Sequence, residues 1–113
     1  MDLTVGKDFF EKDEILKEGV YENADLVDVR KEEPDKLRLD FMIEGELIRE
    51  ICYIKKNNYK LQKFTKGMYG GQIPEDGANF KELQDEIFRV EIVHNVDEHG
   101  RTWANIEEIA PAE

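Results

Sequence analysis

The sequence predicts a small, mainly β domain with its elements in the order β-β-β-α-β-β. Three observations carry that prediction. Leu37, Leu39, Phe41 and Ile43 alternate with Lys36, Arg38 and Asp40, and Phe88, Val90 and Ile92 alternate with Arg89 and Glu91. Between these runs, Leu61, Phe64 and Met68 fall at i, i+3 and i+7. Alternation is the period of a half-buried strand, and the wider spacing is that of an amphipathic helix. At 113 residues the chain can build one domain with a modest core and is too short for two. Six Phe, four Tyr and one Trp, with spaced Val, Ile and Leu, can fill that core, which excludes wholesale disorder.

Residues 1–18 read as an N-terminal arm, charged but carrying Phe9, Phe10, Ile15 and Leu16. The domain proper is expected over residues 19–110, with 111–113 as a tail containing Pro111. Strand 1 runs from Val20 to Val29, and Lys31-Glu32-Glu33-Pro34-Asp35 ends it, because proline cannot donate to a ladder. Strand 2 is the run from Leu37 to Ile43. Glu44-Gly45 makes a tight hairpin into strand 3, Leu47 to Ile54. There Ile48, Cys52 and Ile54 share one face and Arg49, Ile51 and Tyr53 the other. The helical stretch lies within residues 55–68 and is stopped by Gly67, Gly70 and Gly71. Residues 71–78 form a loop and Phe80–Gln84 a further helical turn. Strands 4 and 5 follow, joined by a turn at Asp97-Glu98-His99-Gly100, with Arg101 to Ile106 in the last strand.

One helix between the third and fourth of five strands is the order of the OB-fold, a small Greek-key barrel. An open α+β sheet would share that order, so the prediction is of an OB-fold-like barrel. Closure would remove the exposed edges of a five-stranded sheet. No run approaches the ~18 apolar residues of a membrane span. The N-terminal Met1-Asp2-Leu3-Thr4 lacks a signal pattern. A single cysteine, Cys52, excludes an intramolecular disulfide framework and suits a reducing cytoplasm.

Charge is unevenly spread. The net charge is −11, which by default repels phosphate backbones. Residues 51–74 nevertheless hold Lys55, Lys56, Lys60, Lys63 and Lys66 and no acid. On a helical projection, Tyr59 falls inside the lysine sector, opposite Leu61. An aromatic among lysines can stack a base while the cations hold its phosphates. The plainer reading is a solvated helix face, since lysine is a good helix former. On the strands, Arg38, Arg49, Tyr53, Arg101 and Trp103 form the outward set. Trp103 serves either as a stacking platform or as a partly buried ring closing the barrel. The loops that flank the usual OB ligand path are mostly acidic here.

Nothing in the sequence points to catalysis. His94 and His99 flank Asp97 and Glu98, but their spacing is not helical and no second pair completes a metal site. Cys52 sits in an apolar strand, where a free thiol behaves as a small hydrophobe. No Walker-type loop, G-x-G-x-x-G or G-x-S-x-G occurs. A non-enzymatic protein without cofactor or metal is expected.

Four stretches together resemble a group of small phage and prophage proteins encoded among replication and recombination genes. They are Leu16–Tyr21, Leu37–Phe41, Asn58–Phe64, and Phe88–Ile92 continuing through Gly100–Ile106. The resemblance implies an OB-fold-like accessory protein that binds single-stranded DNA, weakly and in a salt-dependent way. Such binding would use the helix-face and outward-strand residues read above, Arg38, Arg49, Tyr53, Lys56, Tyr59, Lys60, Lys63, Lys66, Arg101 and Trp103, and proteins of this sort often assemble as homo-oligomers. A rival expectation uses the acids instead. A DNA mimic or acidic adaptor would present Glu11, Asp13, Glu14, Glu32, Glu33, Asp35, Asp97 and Glu98 to a basic host or replication protein.

Overall fold

Five strands and two helices follow one another as β1 (Gly19–Glu32), β2 (Lys36–Ile43), β3 (Glu46–Tyr53), α1 (Tyr59–Met68), α2 (Phe80–Leu83), β4 (Ile87–Val96) and β5 (Thr102–Pro111). These elements come from a computed structural model, which describes residues 15–112. The strands form one antiparallel sheet in the order β3-β2-β1-β4-β5. Among the described residues, no helix is long and apolar enough to cross a membrane.

Alternation sets which side chains go inside. Leu37, Leu39, Phe41 and Ile43 are all buried, as are Phe88, Val90 and Ile92 across the sheet. Phe41 meets Phe88 edge to face, with ring centres 6.3 Å apart. The hairpin between β2 and β3 turns at Glu44 and Gly45, which both take positive φ (51° and 79°). A two-residue turn of that kind matches the twist of its flanking strands.

β1 bends the sheet. Its first part, Gly19–Asp25, pairs with β4, and its second part, Asp25–Glu32, pairs with β2. Bulges fall between Tyr21 and Ala24 on one side and between Leu26 and Asp28 on the other. Such irregularities kink a strand and increase its twist. The sheet therefore coils, and its two edge strands, β3 and β5, run parallel. No backbone ladder joins them, so the expected barrel is not closed by hydrogen-bonded strands. Instead the Glu50 carboxylate, on β3, accepts from Asn105 Nδ2 at 3.2 Å and from the Ile106 backbone N–H at 3.4 Å.

Several boundaries differ from the sequence expectation, each for a local reason. α1 begins at Tyr59, because Asn57 sits at φ 64° and Asn58 caps the helix from an extended conformation. Asn58 Oδ1 accepts from the Leu61 N–H at 2.9 Å, satisfying one of the orphan donors of the first turn. Lys55 and Lys56 thus precede the helix and do not belong to its face. Gly67 lies within α1 rather than ending it. A Cβ there would land on the Ile109 carbonyl oxygen, so glycine lets the helix lie directly on β5. β5 itself continues beyond Ile106, and Pro111 pairs with Phe88. Residues 1–14 of the expected arm lie outside the described residues. Its last part contributes Leu16 to the core, and the Leu16 carbonyl lies 2.7 Å from His94 Nε2.

Candidate functional site

The residues singled out in the sequence fall into three groups. On the outer face of β1, β2 and β3, cross-strand register sets Asp28 beside Asp40 and Asp40 beside Arg49. Arg49 reaches Asp40 through Nε at 2.9 Å and Nη2 at 3.4 Å. Arg38 lies 3.4 Å from Asp28, 3.5 Å from Asp40 and 3.9 Å from Glu32, and Arg30 bonds Asp28 at 2.8 Å. Asp40 is buried between its arginines. Desolvation pushes the Asp28 carboxyl up, but Arg30 and Arg38 outweigh it and hold the group below its ordinary value. The Asp40 hydrogen bond raises the Arg49 guanidinium above its own. These arginines are spent on carboxylates of the same face. Tyr53 is half exposed at the end of β3, with Lys55 Nζ 5.6 Å from its ring centre.

The second group gathers around α1. Tyr59, the first helical residue, is 78% exposed, the most open of the exposed large hydrophobic side chains among the described residues. Lys63 Nζ lies 5.9 Å from its ring centre. Lys60 Nζ bonds the buried Glu50 at 2.9 Å, and Lys63 lies 3.5 Å from Glu107 and 3.4 Å from Glu108. Partial desolvation lowers the Lys63 pKa, yet these two carboxylates together raise it above its ordinary value. A cavity of about 400 Å³ opens here between α1, the end of β4 and β5, lined by Tyr59, Lys60, Lys63, Asn95, Asn105 and Glu107, among others. A second hollow of about 410 Å³ lies on the far side of Tyr59 and includes Lys66. Lys66 and Lys56 make no ion pair with a described residue within 4 Å.

The third group is the turn between β4 and β5. Trp103 is half exposed, and its Nε1 donates to Asp97 Oδ2 at 2.9 Å. Asp97 Oδ1 accepts from the backbone N–H of His99 and of Arg101, both at 2.9 Å. The Trp103 bond first, then the Arg101 and His99 amides, hold this carboxyl below its ordinary value. Trp103 therefore braces a turn and keeps part of its ring in water. His94 and His99 do not converge, and no metal-holding cluster occurs among the described residues. Burial raises the Cys52 thiol to about 11, which keeps it protonated and unreactive at neutral pH.

A larger cavity, about 690 Å³, lies between the ends of β1 and β2 and the two helices. Its walls are mainly apolar, from Val29, Leu37, Ile54, Leu61, Ile73 and Phe80. Lys81 at its rim donates to the Val29 carbonyl and to Gln84 Oε1. Ile54, expected on the inner face of strand 3, instead follows β3 and opens into this hollow.

Three residues of the α1–β5 cavity escaped the sequence reading. Glu50 carried a signal, since it stands between Ile48 and Cys52 on the inward face of an alternating strand. Asn95 and Asn105 carried none, because their pairing across β4 and β5 depends on register. No family model, curated protein or solved structure matches the chain.

Proposed function

We propose that the protein is a non-catalytic, OB-fold-like accessory domain that binds single-stranded DNA, in the manner of the phage replication proteins it resembles. Support at the level of fold comes from the strand order β3-β2-β1-β4-β5, with parallel edge strands drawn together and α1 between β3 and β4. Fold alone does not carry function. The observation that carries the reading is Tyr59, open to solvent at the head of α1 with Lys60, Lys63 and Lys66 on the same helix. An exposed ring leaves apolar surface in water that stacking on a base would bury, and the Lys63 and Lys66 ammonium groups beside it are placed for phosphates.

The helix face is the binding surface in this reading, because Tyr59 is open there and Lys66 makes no ion pair with a described residue, whereas Arg38 and Arg49 on the β1-β2-β3 face are held by Asp28, Asp40 and Glu32. Glu107 and Glu108, which pair with the half-buried Lys63, are themselves exposed, so a phosphate can compete with them for its ammonium group. Lys60 stays on the buried Glu50, so Lys63 and Lys66 engaging up to two phosphates give a slope of log K on log salt no steeper than about −1.4. Fluorescence anisotropy of a labelled ~30-nucleotide single strand tests this. Micromolar binding that weakens with salt is expected. Absence of binding at low salt overturns the reading.

A second reading is favoured by the same neutralisation. If the cations are structural, the surface left for partners is acidic, with Glu33 and Glu98 exposed at the two loops beside the sheet. The domain would then be an adaptor or DNA mimic for a basic host or replication protein. Capture of such a protein, lost on Glu33→Lys with Glu98→Lys, would support it over the first.

A further inference from the structure

We infer that the groove between α1 and β5 is a nucleobase pocket, in which a base stacks on Tyr59 and its edge is read by the carboxamide of Asn95. This rests on the single-strand reading above and goes further, because it names the contacting groups and a base preference. It also moves the site away from the outer face of β2 and β3.

Glu50 is 2% exposed, and an ionised carboxylate can only accept hydrogen bonds. It takes them from Lys60 Nζ, Asn105 Nδ2 and the Ile106 N–H. Asn105 must therefore turn its NH₂ towards Glu50, which leaves its Oδ1 facing Asn95. Asn95 Nδ2 donates to that oxygen at 3.0 Å. The chain of bonds fixes which way each amide points, a choice that geometry alone leaves ambiguous. Asn95 is left with one N–H and Oδ1 in a single plane at the mouth of the cavity, and it is exposed.

A donor beside an acceptor is the pattern that pairs with a base edge, and an asparagine amide pairs characteristically with N6 and N7 of adenine. Tyr59 lines the same cavity and supplies the stacking surface. The volume, about 400 Å³, falls at the lower end of the range that holds small ligands. Lys63 and Lys66 line the adjoining hollow beyond Tyr59, where the flanking phosphates would run. Glu107 and Glu108 sit beside them and offset their charge. Affinity at this site then comes mainly from stacking and amide contacts, and base identity matters more than it would for a purely cationic groove.

The test uses the full chain and labelled ~15-nucleotide dA and dT homopolymers, followed by anisotropy at low salt. The wild type should bind dA more tightly than dT. Tyr59→Ala should weaken both by about tenfold. Asn95→Ala should weaken dA by about tenfold and leave dT nearly unchanged, so that the preference collapses. Both side chains are exposed, and circular dichroism will show that the variants stay folded. If the wild type binds and both variants bind equally well, the pocket is refuted while strand binding stands. If the wild type binds neither homopolymer, both fall together.

Discussion

Trp103, in β5, donates its indole N–H to Asp97 in the turn that precedes it. That indole N–H and two backbone amides converge on one carboxylate, which ties the turn between β4 and β5 together. Because these donors favour the ionised form, the folded pKa of Asp97 lies below the unfolded value of 3.8. Its contribution to stability is thus complete above 3.8 and is lost as pH falls through the lower folded value. Trp103 is the only tryptophan, so its fluorescence reports this site alone. The emission should titrate with a midpoint below 3.8, and the transition should vanish in Asp97→Asn. A midpoint at or above 3.8 would contradict the account. Glu50 teaches the complementary lesson. Its inward position was legible from the alternation of Ile48 and Cys52, but its partners were not, since Lys60, Asn105 and Ile106 come from two other elements.

Elements were legible where one period dominates. The apolar residues of β2 and β4 alternate, and those facing inward were identifiable, while Asp40 is buried on the opposite face of β2 only because its arginines cover it. α1 was legible as a helix but not in its start, which Asn57 and Asn58 set through backbone conformation and capping rather than through apolar spacing. β5 was harder still. Its second half, Glu107 to Pro111, is too polar to read as a strand, and it is held there by pairing with β4 and by Lys63 reaching both glutamates. Gly67 belongs at this scale, since it sets how closely α1 approaches β5. In an isolated helix, alanine would be favoured over glycine by about 1 kcal/mol. Here Gly67→Ala should instead destabilise the protein by about 1–3 kcal/mol, because the new methyl group must displace the Ile109 backbone. Urea denaturation measures the difference, and an unchanged or raised midpoint would show that α1 does not press on the strand.

The whole molecule is a coiled sheet whose two edges meet through a side chain rather than through a ladder. Bulges in β1 produce the coil, and Glu50 joins the edges while also anchoring Lys60 of α1. The same joint links the fold to the candidate site, because it orients the amides that face Tyr59. Charge is likewise a property of the whole. The lysine-rich stretch of residues 51–74 meets Asp35, Glu50, Glu107 and Glu108 in space, all of them distant in sequence or on other strands. A linear count of lysines therefore overstated the cationic surface, because Lys55, Lys60 and Lys63 are each met by a carboxylate. The most direct measurement is a titration of ¹⁵N-labelled protein with a short single-stranded oligonucleotide, followed by amide chemical shifts. The account predicts perturbations concentrated at Tyr59 to Gly67, at Asn95 and from Asn105 to Glu108. Perturbations centred on Arg38, Arg49, Ile51 and Tyr53, or none at saturating oligonucleotide, would contradict it.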